Sequence, residues 1–186
     1  MARIKRLLEY QQSEFSALNK SAMWLGNVAL LFITPFAINN FLNGRISVSI
    51  ATLCIMGIFA FNTFTVVFWK KYYANTSLYL LSPAIMVFAY FAIQAQGIIG
   101  VLWSFPALVC LYYLLPERQA WIVNVLVLSV CTYMAFLHFE KGLAWRIFAT
   151  LSLVSAFTAV SIRQINKQQL ELHRLAITDS LTGLYN

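Results

Sequence analysis

"ISVSIATLCIMGIFAFNTFTVVFW" (Ile46–Trp69) runs for 24 residues without a single Asp, Glu, Lys or Arg. A helix of about 20 mostly apolar residues is long enough to cross the hydrocarbon core of a bilayer. The whole chain has the same character, because 61% of its 186 residues are hydrophobic, only 10% are charged and the mean hydropathy is +0.73. These values lie outside the range of soluble globular domains and predict an integral membrane protein.

Similar apolar stretches recur along the chain, with polar residues between them. We expect an all-α membrane protein with six transmembrane helices. The predicted spans cover residues 21–41, 46–69, 76–93, 97–115, 119–137 and 144–162. Only "QAQG" (residues 94–97) separates the third span from the fourth, so a single long kinked hairpin is the alternative there.

The basic residues predict the orientation, since Lys and Arg beside a span are retained in the cytoplasm. With the N-terminus inside, ten of the thirteen basic residues lie on the cytoplasmic side: Arg3, Lys5, Arg6, Lys20, Lys70, Lys71, Arg118, Arg163, Lys167 and Arg174. Six spans then place both termini in the cytoplasm. We attribute the net charge of +7 to the retention of basic residues on the cytoplasmic side and to attraction for anionic membrane lipids, and not to a nucleic-acid-binding surface.

The spans carry no Asp, Glu, Lys or Arg at mid-membrane depth, which disfavours an ion or proton pathway. The three outer connections are too short to fold into a domain, so an external signal would have to be read within the bundle. This favours a lipophilic or small amphiphilic molecule, or a physical property of the bilayer, as the signal. The candidate ligand-binding residues are Trp103, Ser104, Asn124, Tyr133 and His138. A packing role for Trp103 and an interfacial role for His138 are the alternatives.

The three cysteines stand far apart inside predicted spans, and neither a disulfide framework nor a CxxC metal site is present. No catalytic residue and no metal ligand is therefore assigned. At the N-terminus, residues 1–20 combine a helical apolar stripe with basic residues and predict an amphipathic helix on the inner leaflet. A solvated lead-in helix is the alternative.

After the sixth span, residues 163–178 have no Gly or Pro and are rich in good helix formers. We expect the sixth helix to continue into the cytoplasm as a signalling helix. Its apolar residues follow the spacing of a dimeric coiled-coil seam in two registers, with Ile162, Ile165, Leu172 and Leu175 as the seam candidates. A homodimer is predicted, and a linker that rests on a neighbouring domain is the alternative.

The chain ends on "DSLTGLYN" (residues 179–186), which resembles the DxLTGLxN motif that opens the GGDEF domain of diguanylate cyclases. The matching positions are Asp179, Leu181, Thr182, Gly183, Leu184 and Asn186. The resemblance covers these eight residues only. It implies the sensor region of a cyclase of the bacterial inner membrane, truncated where the catalytic domain opens.

The resemblance also implies that GTP and Mg²⁺ belong to a cyclase domain beyond residue 186, which makes cyclic di-GMP from two GTP molecules. The chain itself would carry no catalysis and no cofactor. The expected organisation is an N-terminal helix, a sensor domain, a signalling helix and the start of the GGDEF domain, at residues 1–20, 21–162, 163–178 and 179–186.

Two functional classes stay open for the bundle. It is either a receptor for a lipophilic signal that regulates the cyclase or a passive anchor that dimerises the cyclase at the membrane. The layout of six helices with short loops is also similar to that of receptor kinases for lipophilic autoinducers.

Overall fold

The computed structural model describes residues 23–69 and 71–177, with side chains to residue 172. Within these residues 92% are helical and no strand occurs, which confirms the predicted all-α class. The helices are α1 (Met23–Leu42), α2 (Ile46–Trp69), α3 (Ala74–Gln96), α4 (Ile98–Leu114), α5 (Glu117–His138) and α6 (Lys141–Ile177). All of these except α4 are long and apolar enough to cross a membrane, and α4 is a shorter apolar helix.

Two predicted segments lie outside the described residues. They are the N-terminal amphipathic helix at residues 1–20 and the DSLTGLYN motif at residues 179–186. The side chain of Leu175, one of the seam candidates, also lies outside what is described, although its backbone belongs to α6.

Helices α3 and α4 are two separate helices that run back along each other. Only Gly97 stands between them, with φ +60°, a left-handed conformation that glycine adopts without a steric cost. Three residues later Gly100 packs so tightly on α3 that an added Cβ would lie 2.2 Å from the Ala92 carbonyl oxygen. The chain therefore turns back at Gly97, and α4 begins in direct backbone contact with α3.

The far end of α4 returns to where α3 began. The Tyr72 hydroxyl, just before α3, donates a hydrogen bond of 2.7 Å to the carbonyl oxygen of Leu114, the last residue of α4. We call this the tyrosine end of the bundle, defined by Tyr72 and Leu114. The opposite end, where Gln96 of α3 bonds to Asn40 of α1, is the asparagine end.

Two local irregularities lie close to prolines. A π-helical turn, Ser77–Leu81, comes shortly before Pro83 in α3, and α4 is interrupted at Trp103, shortly before Pro106. Proline lacks the N–H that an α-helix needs and its ring clashes with the carbonyl one turn earlier, so the preceding turn widens or breaks.

The core of the bundle lies mainly among α3, α4, α5 and α6. Its fully buried side chains include Leu81, Leu108, Leu111, Val127 and Leu151. Helix α1 is more peripheral, and it is joined to α2 where the Ser49 hydroxyl donates to the Ala37 carbonyl oxygen at 3.1 Å. Because α1 packs less closely on the core, space remains between it and the other helices.

Helix α6 is uninterrupted from Lys141 to Ile177, so the predicted helical continuation beyond residue 162 is present. The seam candidates differ in their surroundings. Ile162 is only 7% exposed and packs in the core of its own chain, whereas Ile165 is 38% and Leu172 66% exposed. The apolar stripe thus passes from the bundle core to an exposed surface along one helix.

Candidate ligand-binding cavity

A cavity of about 280 Å³ lies between α1, α2, α3 and α4. This volume is near the lower end of the range for small-molecule sites. Its lining consists of Leu25, Val28, Ala29, Phe32, Ile33, Phe36, Asn40, Thr52, Ile55, Phe59, Ile85, Phe88, Trp103, Pro106, Ala107 and Cys110. None of these side chains is charged, and most are aliphatic or aromatic.

The aromatic contact between α1 and α4 helps to form the cavity. The rings of Phe36 and Trp103 meet edge to face, with their centroids 4.5 Å apart and their planes at 77°. Such a contact stabilises the approach of the two helices by about 1 kcal/mol beyond simple burial. The small side chains of Ala29 and Ala107 leave the volume that the larger rings do not fill.

The polar groups of the lining are Asn40 and Thr52, together with the thiol of Cys110. The Asn40 side chain is 6% exposed, and its Oδ1 accepts a hydrogen bond of 2.7 Å from Gln96 Nε2. The Thr52 hydroxyl donates its hydrogen to the Val48 carbonyl oxygen at 2.7 Å. An apolar surface with a few fixed polar groups is suited to binding and orienting a ligand.

The five sequence-predicted ligand residues do not surround one site. Trp103 lines the cavity, as a stacking role requires. Its neighbour Ser104 is buried, with its Oγ 3.1 Å from Cys131 Sγ of α5. Asn124 is buried and donates to the Ala120 carbonyl oxygen within its own helix.

The remaining two candidates lie on the surface of α5. Tyr133 is 63% exposed, and His138 is exposed at the last residue of this helix. Only Trp103 among the five lines the cavity between α1 and α4. A helix presents neighbouring residues in different directions, which is why adjacent Trp103 and Ser104 meet different surroundings.

Sequence reasoning missed Asn40 and the α1 aromatic residues. Asn40 stands near the end of the first predicted span, where an amide is ordinary and gives no signal. Its partner Gln96 is 56 residues away in sequence, so their contact appears only in three dimensions. The one feature of the sequence that could have indicated this face of α1 is the spacing of Phe32, Phe36 and Asn40, which lie four residues apart and so share one side of a helix.

A chain of hydrogen bonds fastens the tyrosine end. Asn62 Nδ2 of α2 donates to Ser77 Oγ of α3 at 3.1 Å, and Ser77 is also bonded to the Tyr72 hydroxyl. Since the only hydroxyl hydrogen of Tyr72 goes to the Leu114 carbonyl, the Ser77 hydroxyl donates to Tyr72. These hydrogen bonds therefore join α2, α3 and α4, as polar side chains between apolar helices commonly do.

Tyr72 is 3% exposed, and burial raises the pKa of its hydroxyl above the ordinary value. The hydrogen bond with Ser77 offsets part of this effect, and Cys110 adds to it. The hydroxyl thus stays protonated and keeps its hydrogen bond to Leu114 over the physiological range.

At the same end, α6 is held to α5 where it leaves the bundle. The Arg163 guanidinium pairs with the Glu117 carboxylate and lies over the Trp121 ring, 5.7 Å from its centroid. Deeper in the bundle, the Tyr112 hydroxyl of α4 is 3.3 Å from Ser155 Oγ of α6. Helix α4 therefore contacts the cavity through Trp103 and contacts α6 through Tyr112.

In the part of the chain that the structure describes, no group of three His, Cys, Asp or Glu side chains lies close enough to hold a metal ion. No protein-family model, no curated protein and no solved structure matches the chain.

Proposed function

We propose that this chain is the membrane-embedded sensory and dimerisation region of a diguanylate cyclase, and that it regulates cyclic di-GMP synthesis by taking up a lipophilic signal. The observation that carries the sensory part is the uncharged cavity between α1 and α4. The cyclase part rests on the resemblance of residues 179–186 to the GGDEF-opening motif. GTP and Mg²⁺ would bind to that cyclase domain and not to the bundle.

The cavity favours a ligand that arrives through the bilayer. Its lining residues Val28, Phe32 and Phe36 are 49%, 63% and 45% exposed, so the cavity reaches the lateral surface of the bundle. In a membrane that surface faces hydrocarbon. A lipophilic molecule can therefore enter between α1 and its neighbours without crossing a polar loop.

Helix α4 offers a route from the cavity to the output. Trp103 on one side of α4 lines the cavity, and Tyr112 on the same helix contacts Ser155 of α6. A ligand that moved Trp103 would shift α4 against α6, and packed helices answer such changes by small sliding or rotation. The continuous helix α6 would carry that motion to Ile177 and the cyclase.

For the topology we propose six membrane crossings, with both termini on the cytoplasmic side of the bacterial inner membrane. Helix α4 is short, but its ends coincide with the two ends of α3, near Gly97 and near Tyr72. The tyrosine end would then be cytoplasmic, where the predicted inside residues Lys71, Arg118 and Arg163 also lie.

The dimer would form along α6 beyond the bundle. Ile165 and Leu172 are seven residues apart and exposed, which is the spacing of a coiled-coil seam. Pairing of two α6 helices would bring two cyclase domains together, as a reaction that joins two GTP molecules requires.

The test measures cyclic di-GMP in cells that express the full-length protein. Ala107→Phe places a ring in the cavity, and we expect it to shift the output to one fixed level that no longer responds to growth conditions. Ala60→Phe, the same change on the exposed surface of α2, is the matched control and should behave as the wild type. Equal output and response in all three proteins would favour the passive anchor.

The cyclase assignment has its own check. The coding frame beyond codon 186 should contain a run resembling Gly-Gly-Asp/Glu-Glu-Phe, and the purified full-length protein should convert GTP to cyclic di-GMP. A frame without such a run would contradict the assignment.

A further inference from the structure

The cavity has one polar end, and it coincides with the asparagine end of the bundle. Asn40 lines the cavity two residues before α1 ends, and its Oδ1 is engaged by Gln96 Nε2 at 2.7 Å. An asparagine amide carries two N–H donors beside its oxygen. Gln96 already uses one of the two acceptor positions of this oxygen, whereas Nδ2 carries two hydrogens to donate, so Nδ2 is the main group that Asn40 offers to a ligand.

The second polar side chain of the lining is less able to donate. The Thr52 hydroxyl gives its hydrogen to the Val48 carbonyl oxygen within α2, so Thr52 can only accept. Asn40 is therefore the amide donor that the lining provides for a ligand oxygen.

The charge of the lining limits the headgroup. Neither a basic nor an acidic residue lines the cavity, and an unpaired charge in a buried apolar site is costly. A carboxylate, phosphate or ammonium group would have no counter-ion there. The headgroup is therefore expected to be neutral.

The rest of the lining fits a chain of hydrocarbon. Lining residues recur along one side of α1 from Asn40 to Leu25, which is about 22 Å along the helix axis. Phe36 and Trp103 flank the part nearest to Asn40. The cavity thus has a polar group at one end and an apolar lining along the rest of its length, which is complementary to a single-chain amphiphile.

We propose that the cavity binds an uncharged single-chain amphiphile whose ketone, ester, amide or alcohol oxygen accepts a hydrogen bond from Asn40 Nδ2, with its hydrocarbon tail along α1 toward Leu25. The proposal rests on the proposed function only in treating this ligand as a signal. The same chemistry is supplied by a diffusible neutral compound and by a neutral single-chain lipid of the bilayer.

The experiment is native mass spectrometry of the full-length protein in detergent, titrated with 2-tridecanone, tridecane and tridecanoate as probes. The wild type should bind the ketone more tightly than the carboxylate. Asn40→Leu should weaken ketone binding about three- to tenfold, the value of one hydrogen bond, and leave tridecane binding unchanged. Asn39→Leu, the same change at the exposed neighbouring position, should leave all three affinities unchanged.

A second variant keeps the test decisive if Asn40→Leu disturbs the fold. Ala107→Phe fills the apolar part of the cavity, retains Asn40 and should abolish binding of both the ketone and tridecane. Equal affinities for ketone and carboxylate in the wild type, undiminished ketone binding in Ala107→Phe or in folded Asn40→Leu, or no ketone binding at all would each overturn the proposal.

These experiments also identify the source of the ligand, and they distinguish failure of the binding proposal from failure of the proposed sensory function. The mass of a neutral single-chain lipid that is retained by the wild type and lost from Ala107→Phe identifies a bilayer lipid, and an empty cavity that takes up the ketone identifies a diffusible ligand. A retained phospholipid, which has two chains and a charged phosphate, would overturn the proposal. Ketone binding that depends on Asn40 but leaves cyclic di-GMP output unchanged would refute the sensory function and leave the binding site intact.

Discussion

Arg163 of α6 is paired with Glu117 of α5 and at the same time lies over the ring of Trp121. These contacts hold α6 at the point where it leaves the bundle and becomes an isolated helix. The guanidinium is about half exposed, so the pair adds little to global stability. The effect of the ion pair is local, because it holds α6 against α5 at the point where α6 leaves the bundle.

We therefore expect Glu117→Gln to loosen the α6 exit without unfolding the bundle. The free energy of unfolding should fall by less than about 1 kcal/mol. Hydrogen exchange of backbone amides around residue 163 should become faster, since local opening no longer has to break the ion pair. Glu171→Gln, at an exposed position further along α6, is the control, and equal exchange in both variants would contradict the role of the pair.

The close approach of α3 and α4 leads to a larger stability effect. In Gly100→Ala the new Cβ would lie 2.2 Å from the Ala92 carbonyl oxygen, so the two helix backbones would have to separate. We expect a loss of about 1–3 kcal/mol, measured as a lower melting temperature in detergent. Gly57→Ala, where an added Cβ meets nothing within 4 Å, should be neutral or slightly stabilising. Equal melting temperatures would refute the tight contact.

The hydrogen-bond chain at the tyrosine end predicts the effect of Tyr72→Phe. The change removes the donor to the buried Leu114 carbonyl and the acceptor of the Ser77 hydroxyl hydrogen, although Ser77 keeps its hydrogen bond from Asn62, and we expect a cost of about 1–3 kcal/mol. Tyr79→Phe, at a residue that is 70% exposed, should leave stability within about 0.5 kcal/mol of the wild type. Thermal unfolding of the two variants side by side measures the difference.

The same residue predicts an alkaline limit to stability. Burial raises the pKa of Tyr72 in the folded protein above the ordinary tyrosine value of about 10. Its contribution is therefore complete below pH ~10 and decreases as the pH rises through and beyond that value, because the unfolded state loses the proton first. Melting temperatures from pH 8 to 11 should fall more for the wild type than for Tyr72→Phe. Parallel profiles would contradict the assignment.

The helices could be predicted from sequence because the membrane requires length and apolarity, and these are one-dimensional properties. Within the described residues each predicted apolar stretch corresponds to a helix, five of these helices are long and apolar enough to cross a membrane, and Gly97 lies between α3 and the shorter α4. The cavity was not predictable to the same degree. In a bundle that faces lipid, apolar residues cover both the core and the outside, so no amphipathic pattern tells which face of α1 lines a cavity.

Single residues show the same limit. Trp103 was a candidate because a tryptophan inside a span is unusual, and it does line the cavity. Asn40 could not be identified in this way, since its position in the site depends on its hydrogen bond with Gln96, which is distant in sequence. Ser104 and Asn124 were candidates as polar residues in spans, but neither lines the cavity: the Ser104 hydroxyl contacts Cys131, and Asn124 Nδ2 donates to the Ala120 carbonyl within α5.

The exposed stripe of α6 leads to the last prediction, which concerns dimerisation in membranes. In a background without the natural cysteines, Ile165→Cys and Leu172→Cys should each form a disulfide between two copies under mild oxidation, because seam positions of paired helices face each other. Lys167→Cys is the matched control, since this exposed position lies about 200° around the helix from Ile165. Crosslinking that is absent at both seam positions, or equal at all three, would refute a seam along this face.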